Sequence, residues 1–485
     1  MLYQEGIEMR ILALMGVAGL LAACAVGPDY SRPDVPTMHA FRMDEQKPDL
    51  PALANLPWWE LYQDQELQKL IRVALDENKD LERVVATVDE FAANLFIART
   101  DFIPQLTATG NFPSARSGGV RFSGFPSPFS YYLQGNLAWE FDVWGRIRRS
   151  NEAARGDLLA REENRRAIIL QLVGGVAQAY FELRQFDLQL EIAERTLGAW
   201  DESVRISEAR HRQGMVHGLD VAQFQAERES AAARIADLTR QIIQKENELS
   251  LLLGRPPDQI PRGQSLTDQV MPPVIPAGLP AELLQRRPDI IQAEHQLAAA
   301  TARIGAAKAD RFPKVSLTGI IGLANPSFTR LLRSEGFFGA LGPSLTGPIL
   351  NAHSLGFQQD AAEAQARQAA AQYRQTILTA FREVEDALAG VRMTREQAAA
   401  QDRQVIALKK ALRLANLRYK GGLANYLDVL IAQRNLFDVE LALATTRRLH
   451  LTSVVQLYKA LGGGWSPDES GHAQPVAAAS GASHR

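Results

Sequence analysis

Histidine is the side chain that most often moves protons or holds metals near neutral pH. Eight stand in this chain, at positions 39, 211, 217, 295, 353, 450, 472 and 484. None lies in an H-E-x-x-H motif or a comparable ligand spacing. There is no G-x-S-x-G elbow to expose a nucleophilic serine and no Walker loop to cradle phosphates. The run Gly462-Gly463-Gly464 closes a helical pattern instead of following a strand, so it is no phosphate loop. Cys24 is the only cysteine, which excludes an internal disulfide framework and a cysteine-based zinc site. The sequence therefore predicts no catalytic residues, no metal site and no cofactor beyond what Cys24 itself carries. Function must come from architecture.

Cys24 closes the stretch MRILALMGVAGLLAAC (9–24), which has one basic residue, an apolar run and then small residues. This reads as a secretory signal over 1–23. Leu21-Ala22-Ala23-Cys24 resembles a bacterial lipobox, in which the thiol is acylated and becomes the mature N-terminus. Glu5 and Glu8 precede Arg10, which is wrong for a signal's basic start, so translation is expected to begin at Met9. Ala25 follows the cysteine, and the absence of Asp there favours the outer membrane by resemblance to lipoprotein sorting rules. The 53 basic and 55 acidic residues leave a net charge of −2, which argues against a nucleic-acid partner. After the signal no apolar stretch reaches the roughly 20 residues of a membrane-spanning helix.

The elements that follow are written twice. RHRQGMVHGLDV (210–221) returns as RYKGGLANYLDV (418–429), 208 residues later, and Leu253-Gly254 returns as Leu461-Gly462. Upstream, Asp101, Pro104, Thr107, Thr109 and Gly110 return as Asp310, Pro313, Ser316, Thr318 and Gly319. A period this long is not that of a solenoid, whose units are about 20–50 residues. We divide the chain into a signal (1–23), a lipidated, Pro-rich tether (24–60), a first repeat (61–255), a linker (256–280), a second repeat (281–465) and a tail expected to be disordered (466–485).

Each repeat contains two kinds of element. Strands are predicted at about 105–113, 130–141, 314–323 and 336–347, with period-2 alternation. In the second strand Tyr131, Leu133, Gly135, Leu137, Trp139 and Phe141 share one face, opposite Tyr132, Gln134, Asn136, Ala138 and Glu140. Strands of about ten residues suit a tilted bilayer crossing. Four cannot close a barrel, since known barrels start at about eight, and lipid tolerates no open edge. Spanning would demand pooled chains. The other element is a long helical hairpin, at about 146–253 and 352–461. A seam from Ile169 through Leu172, Val176, Ala179, Leu183, Phe186, Leu190, Ala193, Leu197 and Trp200 to Val204 alternates spacings of three and four. The second repeat carries it from Ile377 to Leu412. A helix from 146 to 208 would be about 90 Å long. Helices at 64–102 and 281–311 precede the strands. Gly214 and Gly422 suit the hairpin turns, and Asp220 and Asp428 suit the positive start of each return helix.

These residues also carry a family. Cys24-Ala25-Val26-Gly27-Pro28-Asp29-Tyr30-Ser31-Arg32-Pro33 resembles the C-x-x-GPDY-x-x-P start of the outer-membrane lipoproteins of RND-type multidrug efflux systems, the TolC/OprM/NodT superfamily. Trp58-Trp59 with Asp64, Leu67, Leu70 and Ile71, then Arg287-Pro288-Asp289-Ile290 with Ala293-Glu294, Leu297, Ala302 and Ile304-Gly305, are similar to its internal motifs. Arg418-Tyr419, Gly422 and Tyr426-Leu427-Asp428-Val429-Leu430 resemble its second hairpin tip.

The resemblance implies an internally duplicated α+β membrane protein and a homotrimer. Four strands per chain would form a 12-stranded barrel in the outer membrane, continued by a 12-helix periplasmic α-barrel with an equatorial belt. It implies passive conduction for an inner-membrane RND-type pump and a periplasmic adaptor (membrane fusion protein). Arg210, Gly214, Arg418, Gly422 and Leu423 become adaptor-contact candidates, and Tyr419, Tyr426 and Asp428 aperture candidates. A type I protein-secretion duct shares the fold but usually lacks the lipobox and GPDY start. A non-conducting coiled-coil envelope lipoprotein has no need of alternating strands.

Overall fold

A computed structural model describes residues 25–35, 38, 40–42, 61–112, 131–269, 280–421, 423 and 426–463. The expected signal, Cys24, much of the tether, part of the linker and the expected disordered tail lie outside the described residues. The first repeat runs α1 (Gln65–Glu77), α2 (Lys79–Thr100), β1 (Gln105–Asn111), β2 (Tyr131–Phe141), α3 (Arg146–Arg212) and α4 (Gly218–Leu252). Short helical turns at Pro280–Glu282 and Leu283–Arg286 open the second. It continues as α5 (Pro288–Ala309), β3 (Lys314–Asn325), β4 (Phe337–Thr346), α6 (Ala352–Lys420) and α7 (Leu427–Ala460). Among the described residues no helix is long and apolar enough to cross a membrane.

The strands form one antiparallel sheet in the order β1-β2-β3-β4. Its register lines up the alternation of every strand. Leu106 faces Leu137, which faces Gly319, which faces Leu341. Next on that face come Ala108, Gly135, Ile321 and Gly339, and then Gly110, Leu133, Leu323 and Phe337. One face is therefore apolar across all four strands, and Leu106, Ile321, Leu341 and Leu345 are exposed on it. The opposite face carries Thr107 against Asn136 and Thr109 against Gln134. Among the described residues, β1 and β4 each keep one unpaired edge.

Helix α3 has 67 residues and α6 has 69, each about 100 Å long at 1.5 Å per residue. Every seam position from Ile169 to Val204 and from Ile377 to Leu412 is buried or half-buried. The hairpins end alike in both repeats. Gly254 and Gly462 adopt positive φ after α4 and α7, with Arg255 N–H donating to Ser250 O and Gly463 N–H to Tyr458 O. A Cβ on Gly254 would lie 2.2 Å from the Glu77 carbonyl oxygen, and one on Gly462 3.0 Å from that of Arg286. Glycine here permits both the turn and the close approach.

The expected helix over 64–102 is broken at Asn78. Its extended backbone ends α1, its side-chain oxygen accepts from Leu81 N–H (2.9 Å), and its amide donates to Leu252 O (2.8 Å). Asparagine's side chain competes for backbone partners and so favours such breaks.

The chain divides into two compact units. The first takes Met1–Val35, Ala86–Glu163 and Gln292–Gln375, and so holds the sheet and all but the first residues of α5. Here the described tether is strapped down. Val26 N–H donates to Trp144 O (3.0 Å), Asp29 pairs with Arg149 (2.6 Å), and Arg32 binds Glu294 through two nitrogens (2.8 and 2.6 Å). Tyr30 also donates to Glu294 (3.1 Å). Gly27 (φ +104°) lies so close to α5 that a Cβ would fall 2.4 Å from Gly305 Cα.

The second unit takes Pro36–Val85, Asn164–Ile291 and Thr376–Arg485. Buried Asp64 caps α1 through Glu66 N–H (2.9 Å). It also accepts from Tyr180 Oη (2.9 Å), Gln264 N–H (3.0 Å) and Gln269 Nε2 (2.8 Å). Arg287 joins Asp289 (2.6 Å), Glu383 (2.8 Å) and the Ala460 carbonyl (3.1 Å), which ties α5's start to α6 and α7. Burial opposes its charge, but the two carboxylates hold the guanidinium above its ordinary range.

Candidate functional site

The two hairpin tips lie in the second unit and are built on one plan with different side chains. In the first, α3 ends at Arg212 and Gly214 takes φ +73°. Gly214 N–H donates to His211 O (2.9 Å) and Met215 N–H to Arg210 O (2.9 Å). That pair of bonds satisfies two of the helix's orphan carbonyls. In the second, Leu423 N–H donates to Arg418 O (2.9 Å), the same bond 208 residues on. Gly422 lies outside the described residues, as does Cys24.

Return helix α4 starts at Gly218, where Asp220 Oδ2 accepts from His217 N–H (3.3 Å). Asp220 thus caps a helix start, and Asp428 occupies the first turn of α7, exposed. Acidic groups there meet the helix's positive end.

Where the tips differ, they differ by aromatic rings. Positions 211 and 218 hold His and Gly, and a Cβ on Gly218 would lie 3.7 Å from the His211 ring. Their equivalents are Tyr419 and Tyr426, whose rings meet edge to face at 4.9 Å. Tyr426 is buried. Its ring centre lies 3.8 Å from that of Phe224, which meets Trp200 at 6.2 Å. Val429, Leu430 and Ala231 complete this core, with Leu197, Val204, Leu412 and Ala415 against it. Burial pushes the Tyr426 hydroxyl well above its usual range. It lies near Ser203, whose own hydroxyl donates to Ala199 O (2.9 Å). The tyrosine oxygen has no hydrogen bond of good geometry among the described residues.

The remaining site residues fall into two groups. Arg210 is half-buried over the Tyr419 ring at 4.7 Å, so the sequence-selected Arg210, Tyr419 and Tyr426 form one stack. Arg418, Gly214 and Leu423 are exposed. Met215 and Leu219 match Leu423 and Leu427, and all four are exposed apolar side chains on the turns. Phe224 and Trp200 bind the stack together. Trp200 is legible as part of the seam, but Phe224 gives no local signal because its nearest ring, that of Tyr426, comes from the other hairpin.

Away from the turns, Glu440 joins three helices by accepting from Arg195 (2.5 Å) and Lys409 (3.1 Å). Among the described residues no group of His, Cys, Asp or Glu could hold a metal ion. The arrangement offers apolar, basic-flanked turns held on an aromatic core.

Comparison with known proteins agrees in extent. A family model described as outer membrane efflux protein matches residues 70–255 and 279–463, one segment in each repeat. The chain is 36% identical over 466 residues to the probable efflux pump outer membrane protein TtgC of Pseudomonas putida, covering 94% of this chain and 96% of that protein. It is 34% identical over 452 residues to the cation efflux system protein CusC of Escherichia coli, covering 92% and 98%. Among solved structures, the open state of the Neisseria gonorrhoeae MtrE outer membrane channel is similar with a TM-score of 0.81, 33% identity and coverage of 91% and 98%. The outer-membrane channel OprN is similar with a TM-score of 0.82, 30% identity and coverage of 91% and 100%.

Proposed function

The chain belongs to the outer membrane efflux protein family, and on that footing we propose that it is the outer-membrane duct of a tripartite efflux pump. Membership gives the location, the outer membrane of a Gram-negative bacterium. In our reading three copies pool their sheets into a 12-stranded barrel, and their long hairpins form a 12-helix periplasmic tunnel. The duct is not an enzyme and supplies no energy. An inner-membrane pump and a periplasmic adaptor load it with drugs or other small molecules, which leave down their gradient.

The observation that carries this reading is the sheet. One face is apolar across four strands while β1 and β4 keep open edges. A lipid-facing sheet must pair its edges, because each unsatisfied backbone group in hydrocarbon costs several kcal/mol. The β4 edge of one copy and the β1 edge of the next supply that pairing. Aromatic residues stand at both ends of the strands. Phe112, Tyr131 and Phe328 cluster at one end, and Trp139 with Phe141, and Trp144 with Phe312, at the other. Such girdles belong at the two membrane interfaces. Cys24 would carry its lipid beside Ala25, which packs on Gly145 at the sheet's helical end.

The adaptor would meet the exposed tip residues Gly214, Met215, Leu219, Arg418, Leu423 and Leu427, together with Gly422. Tyr419, Tyr426 and Asp428 would border the aperture. One of the relatives above is named for cation efflux and another only for efflux, and on our reading the choice of cargo lies with the pump. Native mass spectrometry of the detergent-extracted protein tests the assembly. A trimer of acylated chains is expected, and a monomer would remove the barrel and the duct together. Gly422→Asp should then abolish drug resistance while leaving that trimer intact. Unchanged resistance would remove the tip from adaptor docking.

A further inference from the structure

The two ends of the sheet treat their cations differently. At the helical end four bases are matched by carboxylates, and Arg311 donates to the Gln359 side chain (2.8 Å). Arg146 pairs with Glu140 (2.9 Å), Arg148 with Asp142 (3.2 Å), Arg149 with Asp29 (2.6 Å) and Lys314 with Asp310 (3.2 Å). At the other end, the β3–β4 connection makes two helical turns, Phe328–Arg330 and Ser334–Gly336. It exposes Arg330 and Arg333, whose side chains make no ion pair or hydrogen bond among the described residues. Glu335, the one carboxylate in the connection, is exposed and pairs with neither.

The apolar groups of the same turn point to what lies beside these bases. Phe328 packs edge to face on Tyr131 (5.5 Å) and near Phe112 (6.1 Å), at the rim of the sheet's apolar face. Leu331 is buried and anchors the turn, while Leu332, 80% exposed, and Phe328, 60% exposed, remain uncovered. A purely aqueous loop has no use for two such exposed side chains beside two arginines without a carboxylate partner among the described residues. An interface of acyl chains below and phosphates above fits both. Arginine matches phosphate with a fork of donors, which an ammonium cannot do.

We propose that Phe328, Arg330, Leu332 and Arg333 form a docking surface for a phosphate-bearing lipid of the outer leaflet. Leu332 and Phe328 lie against its acyl chains, and Arg330 and Arg333 against its phosphates. The inference rests on the barrel reading above, because only then is this turn at the outer surface. Basic side chains at a membrane surface bind anionic headgroups additively and respond to salt.

The test uses the full-length acylated trimer. Leu332→Cys is first labelled on intact cells with a membrane-impermeant thiol reagent. Labelling is expected. Labelling only after the outer membrane is opened would put the turn in the periplasm and overturn the barrel reading and this proposal together. With labelling secured, lipid A retained by detergent-purified trimer is counted by native mass spectrometry. Arg330→Gln/Arg333→Gln should retain about tenfold less than the parent, with the same trimer yield. Dephosphorylated lipid A should bind the parent as weakly as lipid A binds the variant. Equal retention by parent and variant would overturn the proposal while leaving the barrel intact. Displacement of lipid A by inorganic phosphate alone at equivalent concentration would mark a free-anion site and overturn the lipid assignment.

Discussion

The Arg210 guanidinium lies 4.7 Å from the centre of the Tyr419 ring, and so joins the last turn of α3 to the last turn of α6. Neither residue's partner could be found by spacing, because they belong to different repeats. Their contact adds to that of Phe224 with Tyr426 in fastening the two hairpins together.

Tyr419→Leu keeps apolar bulk at this position and removes both the cation–π contact and the edge-to-face contact with Tyr426. Each is worth about 0.5–1.5 kcal/mol. We expect faster amide exchange over 205–216 and 414–423, with exchange elsewhere in α3 and α6 unchanged. Hydrogen-exchange mass spectrometry of the purified protein measures it. Unaltered exchange at both tips would mean that the hairpins hold their ends independently.

Asp64 gathers more of its unit than its place in one helix start suggests. Asp64→Ala removes a cap worth about 1 kcal/mol and strands the buried donors of Tyr180 and Gln269, at about 1–3 kcal/mol each. A loss of several kcal/mol follows, read as a drop in the denaturant midpoint of detergent-solubilised protein. Asp64→Asn keeps one acceptor oxygen and should cost less. An alanine variant as stable as the parent would show that the cluster re-pairs with water.

His450 makes a pH prediction. It is buried between α7 and α6, and its Nδ1 lies 3.1 Å from the Thr394 hydroxyl, which itself donates to Gly390 O (2.6 Å). Burial lowers its pKa, nearby Arg395 adds to that, and a Val391 carbonyl opposes it. The folded value lies below the unfolded one, so the unfolded chain takes up the proton first as pH falls. Stability is therefore full above about pH 6.5 and declines below it. His450→Gln should flatten that decline. It should not erase it, because burial also lowers His295 against the opposing pull of Glu294 and Glu162. Thermal unfolding of both proteins at pH 7.5 and 5.0 measures it. Identical slopes would acquit His450.

The tether gives a steric prediction. Gly27→Val would need a Cβ 2.4 Å from Gly305 Cα at a φ of +104°, which β-branched residues avoid. The strap should lift from α5, exposing Val26 N–H and the Arg32–Glu294 pair to solvent. We expect rapid proteolysis within 25–35 and no change in helix content by circular dichroism. Protease resistance equal to the parent's would show that the remaining ion pairs hold the strap without it.

Much of this fold could be read from periodicity. Alternation over 131–141 and the three-four seam from Ile169 to Val204 are direct images of a two-residue and a 3.6-residue repeat, so strand and hairpin followed. Gly214 followed as well, at φ +73°, because a positive φ leaves few other residues; Gly422 lies outside the described residues. The break at Asn78 did not, since it depends on the Leu252 carbonyl 174 residues away. Nor did the work of the motifs. Asp29, Tyr30 and Arg32 were visible as a pattern, but their partners Arg149 and Glu294 are named only by the fold. At the tips, Tyr426 is an aperture candidate by sequence, and the structure adds that its ring packs against Phe224 within the chain. Sequence gives which residues matter there before it gives which way they face.

The sheet's two faces offer the sharpest separation of outcomes. Ile321 lies on the apolar face, exposed, opposite Gly135 and Gly339. Gln134 lies on the other face, where it donates to Asn136 (3.1 Å). A lysine facing hydrocarbon near mid-membrane costs about 2–4 kcal/mol per site. Three copies would pay it together in a pooled barrel. Ile321→Lys should therefore deplete heat-resistant trimer from the outer membrane. Gln134→Lys should assemble normally and shift the ion preference of single channels toward anions, since its charge would stand in the water-filled lumen. The pair must split in this direction if the apolar face meets lipid. Equal tolerance of both, with normal trimer, would mean that protein covers both faces, and the four strands would then be part of a soluble sandwich.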